Sequence, residues 1–311
     1  MPENRFYQPE GSRPPVNWSL PALRHAMETG DILESPVLRC DTQRSLHVWL
    51  GRIRGIIPKE EAIAPWISGA DREIALLTRV GKPACFQIRA LNTDEKGETT
   101  ALLSRRAAQE EAMTWMLAHA VPGTVLSARI THMEPFGAFA DIGCGIIAML
   151  PCERISVARI SHPRQRFRNG QKILSVVAGV DPEARRFTLT HKELLGTWLE
   201  NASYFQPGET VPGTVRSIKP YGVFIELTPN LSGLADLGPA VQEGDRVSVY
   251  IKSMRPDRMK IKLQIIEPLP PEPELPPLHY QITDGTLTRW VYSPPDYEKA
   301  PVETVFLQQG G

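Results

Sequence analysis

The sequence has few cysteines, no long apolar run and no excess charge of either sign. Its four cysteines (Cys40, Cys85, Cys144 and Cys152) form no CxxC pair, which argues against a zinc site or a redox motif. We expect reduced, partly buried thiols, with a Cys144–Cys152 disulfide as the alternative. No apolar run approaches the roughly 20 residues of a membrane helix, so no membrane contact is expected. Residues 1–17 lack the apolar core of a signal peptide, which favours a cytoplasmic protein.

The charge balance and the missing catalytic motifs narrow the functional classes. Lys and Arg number 35, as do Asp and Glu, so the net charge is zero and any nucleic-acid site must be local. The sequence has no P-loop, GxSxG, HExxH or strand-linked GxGxxG motif, and its seven histidines show no ligand spacing. We therefore expect no enzyme, no metal and no cofactor. A length of 311 residues allows two or three small domains.

One stretch of the sequence occurs twice. Each copy predicts a β-strand, a turn and a second strand that carries aromatic residues on one side. The first copy reads Val121-Pro122-Gly123-Thr124-Val125, then Phe136-Gly137-Ala138-Phe139-Ala140-Asp141-Ile142. The second copy reads Val211-Pro212-Gly213-Thr214-Val215, then Tyr221-Gly222-Val223-Phe224-Ile225-Glu226-Leu227.

Five short strands with a loop between the third and fourth are the pattern of an OB-fold barrel. The pattern around each copy also resembles the S1-type RNA-binding domain, which is named for ribosomal protein S1. In the first copy the resemblance extends to Gly170-Gln171-Lys172-Ile173 and to Arg186 before Leu189. In the second copy it extends to Gly244-Asp245-Arg246-Val247 and to Lys260 before Leu263.

A third, degenerate copy precedes these two. Val48-Trp49-Leu50-Gly51 parallels Ala140-Asp141-Ile142-Gly143, and Leu103-Ser104 parallels Leu189-Thr190. On this alignment the aromatic positions fall on Arg44 and His47, and the basic position falls on Thr100. We therefore expect a barrel without the stacking surface. Trp49, Trp66 and Trp115 are assigned to packing.

The predicted fold class is mainly β, with tandem five-stranded OB-fold (S1-like) barrels joined by short helices. A proline-rich linker and a small C-terminal hairpin follow the barrels; the hairpin turns at Asp284-Gly285 between residues 280–283 and 287–292. Trp290 and Tyr292 in this hairpin are candidates to cover the aromatic face of the last barrel. The predicted segments are an N-terminal arm and short helix (1–30), a degenerate S1-like domain (31–104), a linking helix (105–120), an S1-type domain (121–190), a second linking helix (191–210), a second S1-type domain (211–266) and the linker with the tail (267–311).

The resemblance implies an RNA face lined by two aromatics, a histidine, an aspartate and a basic residue. Matched by position, these are Phe136, Phe139, Asp181 and Arg186 in the middle module, and Tyr221, Phe224 and Lys260 in the last module. The family histidine is replaced by Pro151 and by Asp236. Core packing of the aromatics is the alternative, because alternation places Ala138 and Ala140 opposite Phe139 and either side can face inward.

Further basic residues surround the middle aromatic strand. The candidates for RNA contact are Arg129, His132 and Arg185, with Lys219 in the last module. The loop 152–170 is the most basic stretch of the chain, and two interpretations of it stay open. It is a solvated loop, or it is a phosphate-contacting flap beside the aromatics. The flap would use Arg154, Arg159, Arg164, Arg166 and Arg168.

The expected function follows from the resemblance. It implies a monomeric protein that binds single-stranded RNA by aromatic stacking and phosphate contacts, holding mRNA at the small ribosomal subunit in translation. The alternative is a protein–protein adaptor of a ribonuclease or transcription assembly, since S1-type modules also occur there. Zero net charge and the replaced histidine favour the adaptor.

Overall fold

The computed structural model describes residues 8–13, 16, 18–67, 72–238, 240–272 and 274–307. Three β modules follow one another, with an arm before them and a tail behind. The helices are α1 (Leu20–Thr29), α2 (Arg72–Leu77), α3 (Arg105–His119) and α4 (Trp198–Ala202). The strands of the first module are β1 (Leu33–Pro36), β2 (Arg39–Cys40), β3 (Leu46–Leu50), β4 (Ile53–Ile57), β5 (Pro83–Thr93) and β6 (Thr99–Ser104). Those of the middle module are β7 (Val125–Glu134), β8 (Gly137–Asp141), β9 (Ile147–Pro151), β10 (Lys172–Asp181) and β11 (Arg186–Thr190). The last module and the tail contain β12 (Thr210–Lys219), β13 (Gly222–Thr228), β14 (Leu231–Ala235), β15 (Arg246–Arg255), β16 (Lys260–Pro268), β17 (Arg289–Val291) and β18 (Glu303–Val305).

The middle and last modules are closed five-stranded barrels with the same strand order. The orders are β7-β8-β9-β11-β10 and β12-β13-β14-β16-β15, each closed on itself. In both barrels the third and fifth strands pair in parallel, and the other pairs are antiparallel. This confirms the predicted mainly β fold of tandem OB-type barrels. Strand β14 had no separate sequence prediction.

The first module repeats this order with its first strand split in two. β1 pairs with β5 and β2 pairs with β3, while β4 and β6 pair in parallel. Between the two pieces, Leu38 N still donates to His47 O at 2.8 Å. Pro36 at the break has no N–H for a ladder. The degenerate copy therefore keeps the barrel order, as predicted.

Helix α3 packs into a core that the first and middle modules share. The Ser104 hydroxyl caps the helix by accepting a hydrogen bond from Ala107 N at 2.9 Å. Ala108, Ala112 and Met116 recur on one helix face and are buried against the middle barrel. Trp66 and Trp115 are half-buried against the same core, in agreement with their assignment to packing. No disulfide joins the four cysteines, all of which the structure describes.

The arm before α1 is held between the first and middle modules by buried ion pairs. The Glu10 carboxylate, 5% exposed, accepts hydrogen bonds from Arg105 Nε at 2.8 Å and from Arg79 Nη2 at 2.5 Å. Glu10 N donates to Asp141 Oδ2 of β8 at 2.8 Å. Burial by itself raises the pKa of Glu10, but Arg105 and Arg79 outweigh this effect and lower the pKa below its ordinary value. The described arm residues 8–13 are therefore anchored to the modules.

The connection between the middle and last modules is bent, and the predicted continuous linking helix is wrong. A 3₁₀ turn, Lys192–Leu195, is followed by α4, and Gly196 between them has φ 86°, which favours glycine. The bend leaves carbonyls without helical partners. The Asn230 side chain of the last module donates to Lys192 O at 2.7 Å and to Gly196 O at 2.8 Å. This amide fixes the linker onto the last barrel.

The tail packs along the linker and both barrels. The predicted hairpin at Asp284-Gly285 is wrong, because Leu287 N there donates to Gly123 O before β7 at 2.9 Å. The observed hairpin pairs β17 with β18. Trp290 and Tyr292 are buried in the core of the last module, and the Tyr292 hydroxyl donates to Asn230 O at 2.5 Å.

His191 joins the linker to the tail as a neutral imidazole. The Ile155 carbonyl oxygen can only accept, so the proton is on Nδ1, which donates to it at 2.9 Å. The other ring nitrogen, Nε2, then accepts from the Tyr280 hydroxyl at 3.2 Å. Burial lowers the pKa of His191 to about 4, and Arg166 also lowers it. The Tyr280 oxygen in turn accepts from Leu174 N at 3.1 Å.

Acid is expected to weaken the fold through His191. Its folded pKa lies below the ordinary 6.5, so the unfolded chain binds the proton more tightly. The neutral imidazole's contribution is complete above about pH 6.5 and is lost as pH falls towards 4, by about 3 kcal/mol in all. Urea unfolding at several pH values checks this. The difference in unfolding free energy between the native protein and His191→Asn should shrink across that window; a constant difference contradicts it.

Candidate nucleic-acid interface

The aromatic strand of the middle module turns Phe139 outward. Ala138 and Ala140 are both 0% exposed and face the barrel core, so strand alternation places Phe139 on the opposite side. Phe139 is half-buried on the outer surface. Small alanines inside leave room for the larger side chains of the core. The core-packing alternative for this aromatic therefore does not hold.

Three rings form a cluster on this surface. His132 stacks on Phe139 with centroids 6.2 Å apart and planes at 26°. Phe136 meets Phe139 edge to face at 6.0 Å and 86°, and is itself 56% exposed. A Cβ at Gly137 would lie 2.6 Å from Leu150 O, so only glycine lets β9 approach between the two phenylalanines. An imidazole is thus present on this face, although it comes from β7.

Strand register extends the cluster across the barrel. His132 lies opposite Phe139, Phe139 opposite Met149, and Met149 opposite Thr188. Met149 is half-buried and Ile147, two positions earlier on the same side, is 45% exposed. Neither residue was a candidate from the sequence, although the continuous apolar run 146–150 contained the signal, because one side of such a strand must face outward. The face is therefore an apolar strip with rings at one side.

The structure brings some predicted residues to this face and places others elsewhere. Arg186 and Asp181 are exposed and lie opposite each other, at the start of β11 and at the end of β10. Arg185 instead covers Trp66 of the first module, with its guanidinium carbon 4.6 Å from the ring centroid. Arg129 donates to the arm carbonyls Glu10 O and Gly11 O at 3.2 and 3.0 Å. Arg185 therefore links the middle module to Trp66 of the first module, and Arg129 links it to the arm.

The basic loop begins beside the rings, where Cys152 N donates to Phe136 O at 2.9 Å. Four of its five arginines are accessible to solvent. Arg159, Arg164 and Arg168 are exposed, and Arg154 is half-buried.

Arg166 in the same loop is not available to phosphate, which corrects its assignment to the flap. It is 5% exposed, and its Nη2 donates to Glu226 of β13 at 2.5 Å. Arg216 Nε donates to the same carboxylate at 2.7 Å. Arg166 therefore joins the middle module to the last one by a buried ion pair.

The last module presents a second aromatic pair. Tyr221 is 67% exposed and meets the half-buried Phe224 edge to face at 6.2 Å and 87°. The tail does not cover these rings, so the hypothesis that Trp290 and Tyr292 shield them is wrong. Lys219 and Lys260 of the same module are exposed.

Lys262 is a cation that the sequence analysis missed in the last module. Register places Phe224 opposite Leu234 and Leu234 opposite Lys262, in the row that corresponds to Phe139, Met149 and Thr188. The sequence signal for Lys262 was its position two residues after Lys260, which puts both lysines on the same side of one strand. Asp236, which replaces the family histidine, lies 3.9 Å from Lys262 Nζ and 3.5 Å from Lys252 Nζ.

The first module differs from its prediction at Trp49. This side chain is 51% exposed, so its assignment to packing is wrong. Leu46, Val48 and Leu50 fill the core from the other side of β3. His47, at the aromatic position, is paired with Asp41 at 2.8 Å.

Metal-ligand clusters and membrane-spanning helices are both absent from the described ranges. No group of three or more His, Cys, Asp or Glu side chains there is arranged to hold a metal ion. No helix among them is both long and apolar enough to cross a membrane.

Comparisons with known proteins point to one family. The S1 RNA binding domain model matches residues 121–192. The small ribosomal subunit protein bS1 homolog of Bacillus subtilis is 25% identical over 261 residues, covering 79% of this chain and 65% of that protein. The corresponding figures for bS1 of Leuconostoc lactis are 24% over 259 residues, 78% and 58%. The chain therefore spans about six tenths of the length of these relatives.

A solved structure gives a weaker similarity. It is a multidomain protein with nucleic acid binding domains from Streptococcus pneumoniae, 14% identical, covering 76% of this chain and 74% of that chain with a TM-score of 0.25. The middle module thus matches the S1 RNA-binding domain family, and more than three quarters of the chain is similar in sequence to ribosomal proteins bS1.

Proposed function

We propose that the chain binds single-stranded RNA and holds mRNA at the small ribosomal subunit. The observation that carries this proposal is the exposed ring cluster of His132, Phe136 and Phe139 on a rigid barrel. A contiguous patch of exposed rings usually marks an interaction site, because removing apolar surface from water is favourable. The family of the middle module supports RNA as the partner.

The chemistry of the cluster suits unpaired bases. Every base has a π-face, so a ring held on a strand stacks on it with little regard to sequence, at about 1–3 kcal/mol per base. Exposed arginines of the same module, Arg164, Arg168 and Arg186, supply positive charge for phosphates. The protein as a whole is neutral, so the attraction is confined to this part of its surface.

The modules contribute unequally to the proposed binding. The middle module has three clustered rings and the basic loop, whereas the last module has two rings, Tyr221 and Phe224. In the last module Asp236 lies within 4 Å of the two lysines that flank it and offsets part of their charge. The middle module is therefore the principal site, and the last module is a second contact for the same strand.

Salt and strandedness test the proposal. A labelled oligouridylate titrated with the full chain should bind less tightly as salt rises, with a log–log slope of about −0.7 per phosphate neutralised. Three to five contacts give a slope of about −2 to −3.5. A duplex of the same length should bind at least about tenfold more weakly, because its bases are already stacked. Equal binding of both, or no salt dependence, contradicts the proposal.

Co-sedimentation tests the ribosomal part of the proposal separately. The chain added to a bacterial extract should migrate with small ribosomal subunits, and nuclease digestion of unprotected mRNA should reduce that association. A peak that survives nuclease unchanged would show protein contacts, as the adaptor alternative requires. Variants of the ring cluster would then leave the peak in place.

A further inference from the structure

We propose that the first module holds a base-stacking site of its own, with Trp49 as the ring and Arg54 as its neighbouring cation. The occupant is a further base of the same RNA strand, so this inference rests on the proposed function. It extends the contact surface to a module that lacks both aromatics of the S1 pattern, since Arg44 and His47 stand at those positions.

The backbone of the first module fixes Trp49 on the outer surface. Leu46, Val48 and Leu50 are at most 1% exposed and face the core, so His47 and Trp49 face outward. Trp49 is 51% exposed. A side chain of this size usually adds to stability by burial, and here half of it remains in water.

Register places Trp49 on the same side of the barrel as the rings of the other modules. His47 lies opposite Ile56 and Ile56 opposite Leu102, which matches the row of Phe139, Met149 and Thr188. Trp49 and Arg54 lie opposite each other in the next row on that side, level with Asp141 and Ile147 of the middle module. In the middle module the arm covers Asp141 at this level and leaves Ile147 exposed, whereas in the first module both Trp49 and Arg54 are exposed.

The charges around Trp49 favour a nucleic acid as the occupant. Arg39, Arg52 and Arg54 are exposed, and no carboxylate of the described chain pairs with them. The nearby acid Asp41 is already engaged, because it binds His47 Nε2 at 2.8 Å and accepts N–H bonds from Gln43 and Ser45. An indole beside unpaired guanidinium groups complements a base joined to phosphates.

Oligonucleotide length tests the inference with the full chain. An OB fold covers roughly 4–16 nucleotides, so an oligouridylate of about 12 reaches the principal site and one of about 36 reaches all three modules. In fluorescence anisotropy at low salt, Trp49→Ala should weaken binding of the long oligonucleotide about tenfold, and binding of the short one less than twofold. Trp49→Phe should retain affinity within about threefold because it keeps a ring. Tyr204→Ala, which removes another exposed aromatic from the linker, serves as the matched control and should change neither.

Photo-crosslinking locates the contact directly. An oligonucleotide that contains 5-iodouridine is irradiated in complex with the full chain, and the protein is digested with trypsin. Cleavage after Arg44 and Arg52 releases residues 45–52, which contain Trp49 and no other aromatic ring except His47. A nucleotide attached at Trp49, lost in Trp49→Ala, is the expected result.

The outcomes separate this inference from the proposed function. Normal binding of both lengths by Trp49→Ala, with residues 45–52 unmodified, overturns the stacking site and leaves the middle-module site intact. That result would assign the exposed face to a protein partner. Failure of the native chain to bind even the short oligonucleotide overturns the proposed function itself.

Discussion

Replacing Phe136 and Phe139 together with alanine is expected to weaken binding of a short single-stranded RNA about 30-fold or more. The two rings meet edge to face on the surface, and Phe139 also supports His132 by stacking. Each stacked base contributes about 1–3 kcal/mol, so two lost contacts correspond to at least about 2 kcal/mol. Fluorescence anisotropy with an oligouridylate of about 12 nucleotides at low salt measures the loss.

Two comparisons make this result specific to the rings. Phe136→Leu with Phe139→Leu keeps apolar volume but removes the π-faces, so it should lose most of the affinity with a near-native circular dichroism spectrum. Tyr221→Ala with Phe224→Ala, the equivalent change in the last module, should have a smaller effect on this short oligonucleotide. Native affinity in the Phe136→Ala/Phe139→Ala protein would falsify the stacking mechanism.

Glu10→Ala is expected to lower the stability of the first two modules by about 3–5 kcal/mol. The substitution removes the acceptor for Arg105, which is 3% exposed, and for Arg79. A buried guanidinium without its carboxylate loses more than the pair itself contributes, because its charge stays desolvated. Urea unfolding followed by tryptophan fluorescence should show a lower midpoint for the first transition, and trypsin should cut the arm sooner.

Glu60→Ala is the matched control, because Glu60 is an exposed glutamate with no ion pair in the described chain. Its unfolding midpoint should stay at the native value. Glu10→Gln should fall between the two variants, since the amide oxygen still accepts one arginine hydrogen bond while the charge is lost. A native midpoint for Glu10→Ala would mean that the arm does not hold the modules together.

Much of the fold was predictable because its signals are local. Alternation in Phe139-Ala140-Asp141 and the glycine between the two phenylalanines mark the strand, its turn and its tight neighbour β9. The Ser104 cap and the apolar spacing of α3 likewise lie within one helix. The order of strands then followed from the repeat, since each copy of the pattern specifies the same barrel.

Partners distant in the sequence decided the predictions that were wrong or incomplete. Arg166 is basic and follows other arginines, but Glu226, 60 positions later, buries it in an ion pair. Arg129 binds the arm, because its guanidinium donates to the backbone carbonyl of Glu10, 119 positions earlier. Trp49 looked like a core residue because large apolar side chains usually are, and nothing local shows that no neighbour covers it.

The packing of the tail imposes an order on biosynthesis. Phe306 of the tail packs with Val176 of the middle barrel and Leu194 of the linker. A ribosome adds about 5–20 residues per second, so the roughly 100 residues after Leu194 take several seconds to follow. During that interval the nascent middle barrel exposes this apolar seam to water and to chaperones. The completed array is therefore a late product of translation, although the strands of each barrel can pair as soon as they emerge.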